Sequence, residues 1–242
     1  MAQNNRMTAR LAIYLGTVDT LLHHPGVLAA DERQRLQRMN STRRRRQFSA
    51  GRHLLRHALS HDRPGMAPTA WQVVVQDGRP TLATSGRPDF SLSHSGEHVG
   101  CIICHDGRCG LDLQVHRHRS RELAEACFNP RSNDWLARQP NADLAFHQLW
   151  VLKEAWAKAT ATPLLSALKN TCWTMADSAS AQPAAWAGGT TEQLGTLTLG
   201  WVASPATAAP DVWMWQSGGF VPLELDWTTW IWCDQADTQC GT

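Results

Sequence analysis

Two hydrophobic periods alternate along this chain. Runs of strand type are Leu11-Ala12-Ile13-Tyr14-Leu15, Trp71-Gln72-Val73-Val74-Val75, Val99-Gly100-Cys101-Ile102-Ile103-Cys104 and Gly110-Leu111-Asp112-Leu113-Gln114. In the last of these Leu111 and Leu113 face one way, Asp112 and Gln114 the other. A helix is predicted from Asp31, with Gln34 as capping partner, and a second after Asn40-Ser41-Thr42. Phe48, Leu55 and Leu59 give the second helix an apolar stripe, and Arg63-Pro64-Gly65 ends it. Further helices are expected from Ser120 to Phe128 and from Asn141 to Ala159, separated by a loop from Asn129 to Pro140. Asp77-Gly78 reads as a hairpin turn with Arg79-Pro80 just beyond it, and Asp106-Gly107 as another turn.

After Pro163 the chain carries eight of its twelve tryptophans, most of them in short runs: Cys172 to Met175, Leu197 to Trp201, Val212 to Trp215 and Trp230 to Trp232. These read as antiparallel strands whose tryptophans pack the sheet; stacking on sugars or bases is the other use of such a surface. The order is strand, helices, strands, then strand, helices, strands. That is α+β, with two similar halves, residues 1–105 and 106–242, meeting near Cys104 to Gly110.

Composition narrows the class. At 242 residues, with 43% hydrophobic and 18% charged, the chain is expected to fold around a real core. A net charge of +2 is no global basic excess, so nucleic acid is not an expected partner. No apolar run approaches a membrane span, and Met1 to Arg6 lacks the apolar core of a signal peptide, so the expected location is the cytoplasm, off the membrane. The expected assembly is a monomer. The seven cysteines have no framework spacing. Cys101 and Cys104, three apart on a strand, face opposite ways and read as buried thiols.

Three segments carry candidate chemistry. Between Trp150 and Lys158 a helix places Trp150, Glu154 and Lys158 on one stripe, with Leu149, Leu152 and Trp156 beside it. Alone, a Glu-to-Lys pair four apart is a solvated ion pair worth about 0.2–0.5 kcal/mol. In Phe90-Ser91-Leu92-Ser93-His94-Ser95-Gly96, hydroxyls and an imidazole sit where a short strand enters a glycine turn, either an anion cradle or an ordinary loop. Asp112 is either a ladder residue or, with Glu154, an oxygen donor to a hard cation such as Mg²⁺. His116 and His118, alternating with Arg117 and Arg119, read as surface histidines on a loop, with metal binding as the alternative.

The order Gly78-Arg79-Pro80, Phe-Ser-Leu-Ser-His-Ser-Gly, Gly-Leu-Asp-Leu-Gln and Trp-x-x-Lys-Glu-Ala-x-x-Lys resembles the surfactin-type 4′-phosphopantetheinyl transferases, from about Arg33 to about Pro163. The resemblance implies a pseudo-dimer of two α+β halves with the active site in the cleft between them. It implies an enzyme that moves the phosphopantetheine arm of coenzyme A to a serine of an apo acyl- or peptidyl-carrier protein and releases 3′,5′-ADP. By the same resemblance the first half binds coenzyme A and the second supplies metal and catalytic residues. Asp112, Glu154 and Gln114 would hold Mg²⁺, Glu154 would take the serine proton, and Lys158 would stabilise the transferred phosphate. Ser93 and His94 would meet the pyrophosphate, Arg79 and Pro80 the adenine side. The basic run Arg43 to Arg46, with Arg52 further along the helix, would hold the 3′-phosphate. On the residues alone that run is a solvated helical face or a thin nucleic-acid patch.

Two positions depart from the family pattern. Gln114 stands where a glutamate is usual, which removes one negative charge, and Asp134 is the nearest acid to a second expected site. The rival reading is a non-catalytic coenzyme A binder or interaction protein with a weakened metal site.

Overall fold

The structure is a computed structural model that describes residues 11–24, 27–76, 78–83, 87–119, 121–176, 185–205 and 208–233. Met1 to Arg6, Asp77 and Ser120 lie outside these residues. The chain opens with strand β1 (Leu11–Thr17) and short helix α1 (Val18–Leu22), then α2 (Ala30–Gln37) and the long α3 (Thr42–Asp62). Strands β2 (Val73–Gln76) and β3 (Arg79–Leu82) make a hairpin. β4 (Asp89–Ser95), β5 (His98–Cys104) and β6 (Arg108–Val115) follow. Helices α4 (Arg121–Cys127), α5 (Pro130–Ala137), α6 (Ala142–Thr160) and α7 (Leu164–Asn170) lead to six further strands. These are β7 (Cys172–Met175), β8 (Ala187–Thr191), β9 (Leu197–Ser204), β10 (Asp211–Gln216), β11 (Gly219–Pro222) and β12 (Thr228–Cys233).

Two five-stranded sheets result, ordered β11-β10-β1-β5-β4 and β6-β9-β8-β12-β7. β1 shows why they stack. Ile13 and Leu15 join Leu111, Leu113 and Leu199 in an apolar layer between the sheets, while Ala12 and Tyr14 face the other way, onto Leu54 and Leu55 of α3. Each of these leucines, and Ile13, contributes about 1.5–3 kcal/mol by its burial. On the far face of the second sheet, Leu152 and Ala155 of α6 pack with Trp230 and Val202. The layers therefore run α3, first sheet, second sheet, α6. Trp173, Trp201, Trp215 and Trp230 are buried, so these tryptophans pack the sheets. Cys101 and Cys104 belong to the two opposite faces of β5. Among the described residues no helix is long and apolar enough to cross a membrane.

Several expectations change. β10 runs parallel to β1, and β10 and β11 complete the first sheet, so sheet membership does not follow a cut at residues 105/106 and the late strands are not all antiparallel. Asn129 to Pro140 is largely helix: the Asn129 side chain accepts the Ser132 N–H at 2.8 Å, and Pro130 fills the first helical position. α2 begins at Ala30, one residue early, because Glu32 Oε2 accepts the Ala29 N–H at 2.9 Å.

Candidate active site

The two sheets approach each other edge to edge at β4 and β6. As an edge strand, β6 presents outward N–H and C=O groups that need partners when buried. β4 answers with side chains at alternate positions. Asp89 Oδ2 accepts the Cys109 N–H at 2.9 Å, Ser93 Oγ the Leu113 N–H at 3.1 Å, and Ser95 Oγ the Val115 N–H at 2.9 Å. Two cations take the outward carbonyls: Arg79 Nη2 donates to Cys109 O at 3.4 Å and Lys158 Nζ to Leu111 O at 3.1 Å. Asp89, Ser93 and Ser95 share one face of β4, and their period of two is legible in the sequence. That pattern is the signal for the inter-sheet role, which a reading of Ser93 to Gly96 as a turn misses.

Helix α6 brings Glu154 and Lys158 to this seam because two glycines let it lie close. A β-carbon on Gly110 would collide with the carbonyl oxygen of Ala155, and one on Gly200, paired with Asp112 across β6 and β9, would collide with Val151. Lys158 Nζ then stands 2.6 Å from Asp112 Oδ1, 3.1 Å from Ser93 Oγ and 3.5 Å from Glu154 Oε1. The Trp150 indole N–H donates to Glu154 Oε2 at 2.9 Å, so the carboxylate is held from both sides. Ser93 Oγ donates to Asp112 Oδ1 at 2.8 Å, while the buried Asp112 Oδ2 has no hydrogen-bond partner among the described residues.

The electrostatics follow from this packing. Burial pushes the Asp112 carboxyl up to about 6; Glu154 adds to the rise and Lys158 opposes it. Burial pulls the Lys158 ammonium down, but Asp112 and Glu154 outweigh it and hold it above its ordinary value. His94 keeps an exposed surface; desolvation by its neighbours, then Lys158, Arg43 and Arg44, push its imidazole below its ordinary value. A pocket of about 400 Å³ opens beside Lys158, lined by Gly78, Arg79, Pro80, Phe90, Leu92 and Thr162 among others.

The structure brings Asp112, Glu154, Lys158 and Ser93 together, with Arg79 and Pro80 on the adjoining pocket. Arg79 is itself committed within the chain: Nη2 to both oxygens of Asp89 at 2.8 and 3.0 Å, and Nη1 to Ala159 O at 3.2 Å. Gln114 is half-buried on the Asp112 side of β6 and its amide donates to Val115 O at 3.2 Å. Arg46 is exposed and paired with Asp19. Arg52 is not brought to this site: it is buried, its Nε lies 2.9 Å from Glu32 Oε1, and its guanidinium stacks on Phe48. Arg43 and Arg44, exposed at the start of α3, are the arginines that act on His94. Asp134 lines a groove with Arg121, Leu136 and Phe146 that Asp112 and Glu154 do not line. His118 pairs with Asp143 at 2.9 Å, and His116 meets Thr198 Oγ1 at 2.6 Å. Lys153, between the two motif tryptophans, is buried and donates to Leu168 O at 2.8 Å and Thr171 O at 2.5 Å, which ties α6 to the end of α7.

Among the described residues no three His, Cys, Asp or Glu side chains form a closed metal cage. Two carboxylates, one with a free buried oxygen, nevertheless fit a cation that keeps water and takes substrate phosphate, as Mg²⁺ does.

Fold and site define an α+β protein with an acid–ammonium cluster at the junction of two sheets. Comparison with known proteins places that description in a family. The model of the 4′-phosphopantetheinyl transferase superfamily matches residues 108–198, which include Asp112, Glu154 and Lys158. The 4′-phosphopantetheinyl transferase AcpT of Salmonella typhi is 34% identical over 152 residues, covering 60% of this chain and 72% of that protein. AcpT of Salmonella typhimurium is 34% identical over 119 residues, 48% of this chain and 58% of its own length. HetI of Nostoc sp., also a 4′-phosphopantetheinyl transferase, is 33% identical over 144 residues, 55% of this chain and 59% of its own. The chain thus spans a little over half the length of the last two relatives. It belongs to the 4′-phosphopantetheinyl transferase superfamily.

Proposed function

We propose that this chain transfers the 4′-phosphopantetheine arm of coenzyme A to a serine of an apo acyl- or peptidyl-carrier protein, releasing 3′,5′-ADP. One observation carries the reading: Asp112, Glu154 and Lys158 converge at the sheet junction with one buried Asp112 oxygen left open. The serine oxygen forms a bond to the phosphorus that bears the pantetheine arm, and the bond from that phosphorus to the ADP oxygen breaks. Glu154, half-buried and aimed by Trp150, accepts the serine proton. Lys158 stays cationic and is placed to meet a phosphoryl oxygen as charge grows there. His94, neutral at pH 7, donates an N–H to the pyrophosphate, with Arg43 and Arg44 supplying positive charge nearby. The pocket at Pro80 and Phe90 receives the adenine end. Asp112 and Glu154, with Gln114 beside them, would hold Mg²⁺, which when bound neutralises pyrophosphate charge.

The four ordered motifs support the surfactin-type branch. A long helix on the outer face of each five-stranded sheet supports descent of the two halves from one unit, a pseudo-dimer with its cleft at β4 and β6. The reading assigns a cytoplasmic monomer serving fatty-acid, polyketide or nonribosomal-peptide synthesis. The test is mass spectrometry of an apo-carrier protein after incubation with this protein, coenzyme A and Mg²⁺. A carrier heavier by one phosphopantetheine arm is the expected result. Coenzyme A binding with no mass gain would favour the non-catalytic alternative.

A further inference from the structure

The family resemblance implies a place for Ser93 on the coenzyme A pyrophosphate. We infer instead that Ser93 is a positioning residue: its hydroxyl selects which oxygen of Asp112 is free, and it does not bind the phosphates. This rests on the proposed transferase reading and refines it.

A serine hydroxyl has one proton to donate and two lone pairs to accept with. All three are taken inside the chain. The proton goes to Asp112 Oδ1 at 2.8 Å, and the lone pairs take the Leu113 N–H at 3.1 Å and Lys158 Nζ at 3.1 Å. Ser93 is 5% exposed, so a phosphate would have to displace a buried backbone partner to reach it. Both donors that reach Asp112, the Ser93 hydroxyl and the Lys158 ammonium, converge on Oδ1. Oδ2 is thereby the oxygen left without a partner. The Leu113 N–H, one residue along β6 from Asp112, anchors the same hydroxyl, so the carboxylate's orientation is tied to the seam between the sheets. Ser95 makes the next rung of that seam, to the Val115 N–H, without touching Asp112 in any contact the structure shows. The two serines separate positioning from simple support.

The experiment compares Ser93→Ala, Ser93→Thr and Ser95→Ala by steady-state kinetics, Mg²⁺ titration and amide hydrogen exchange. In Ser93→Ala, kcat falls about tenfold and the half-saturating Mg²⁺ rises several-fold, the scale of one hydrogen bond to a charged group. KM for coenzyme A stays within about twofold. Ser93→Thr, which keeps the hydroxyl, recovers most of the loss. Ser95→Ala lowers the melting temperature and speeds exchange at Val115 but leaves the Mg²⁺ requirement unchanged. If Ser93→Ala does not fold, Ser93→Cys, a weak hydrogen-bonding group of similar volume, carries the same measurements. A rise in KM for coenzyme A larger than the fall in kcat would overturn the inference, as would unchanged kinetics in Ser93→Ala. Mn²⁺ binding to the free protein, followed by electron paramagnetic resonance, keeps the two questions apart. If the wild-type protein transfers no arm, the transferase reading fails, while weaker Mn²⁺ binding in Ser93→Ala than in Ser95→Ala still supports the positioning role, and equal binding refutes it.

Discussion

Two buried carboxylates in this protein sit among cations and have opposite fates. Glu32, on α2, is closed. Its Oε1 meets Arg52 at 2.9 Å and Arg56 at 3.1 Å, and its Oε2 meets Arg56 at 2.8 Å and the Ala29 N–H at 2.9 Å. Asp112, on β6, is open: both of its donors crowd onto one oxygen and the other has none. The two are equally buried, at 4% and 3% exposure, so burial does not separate them. What separates them is whether each carboxylate oxygen has a donor: both oxygens of Glu32 accept a hydrogen bond and sit beside a guanidinium, whereas one oxygen of Asp112 has none. The Glu32 cluster joins α2 to α3 and leaves no carboxylate oxygen without a donor. An open one retains an unsatisfied acceptor, which costs stability and is available for chemistry.

The largest effect should come from opening the closed cluster. Glu32→Ala leaves two guanidinium groups buried without their carboxylate and should destabilise the fold by about 3–5 kcal/mol, read from urea unfolding. A loss below about 1 kcal/mol would mean that the arginines find water and that the cluster is not closed.

Next is Asp112→Asn, which should cut arm transfer by about a hundredfold or more while the protein stays folded. Its stability should depend on pH in a definite sense. The folded carboxyl is pushed up to about 6 from an ordinary 3.8, first by burial. Its contribution is therefore fully present below about pH 3.8 and is lost as pH rises through about 6. Asp112→Asn removes that loss, so its melting temperature should exceed the wild type's by a few degrees at pH 8 and converge with it near pH 4. Melting curves at the two pH values decide this. A variant less stable than wild type at pH 8 would show that the Lys158 pairing outweighs the desolvation.

Arg52 and the first arginines of α3 give a smaller contrast. Arg52→Ala should lower stability yet leave KM for coenzyme A within about twofold, since its partner is Glu32. Arg43→Ala combined with Arg44→Ala should raise that KM about five- to tenfold with little change in stability, the behaviour of exposed phosphate contacts. The reverse result would return the 3′-phosphate to Arg52.

The smallest effect is expected at Gln114. Gln114→Glu adds a second carboxylate on the Asp112 face of β6 and should lower the half-saturating Mg²⁺ about threefold, most of the added attraction being lost to desolvation. An unchanged requirement would show that the side chain stays turned toward Val115.

Local pattern was enough for much of the fold. β1, β5, β6 and the starts of α3 and α6 follow from local apolar period and polar breaks; the structure adds that Ser41 Oγ accepts the Arg44 N–H at 3.3 Å and Asn141 Oδ1 the Leu144 N–H at 3.1 Å, capping the two helices. α5 was also written there, in Asn129 followed by Pro130, but polar residues and two prolines made the segment resemble a loop. β8 was hidden because Gly188 and Gly189 are poor strand formers, present because a β-carbon would meet the Trp201 carbonyl oxygen at one and the Trp201 ring at the other.

For the site, the sequence by itself determined which groups are available: Asp112 on a strand, Glu154 and Lys158 one helical turn apart, and serines at alternate positions before Gly96. These follow from periods of two and 3.6, which are properties of the local backbone. Only the tertiary structure decided that Lys158 bonds Asp112, that Ser93 answers an edge strand, that Arg52 belongs to Glu32, and that β10 returns to lie parallel to β1. Each of those pairs residues from separate elements, brought together when buried apolar faces stack and every buried polar group must find a partner. No local period encodes that choice.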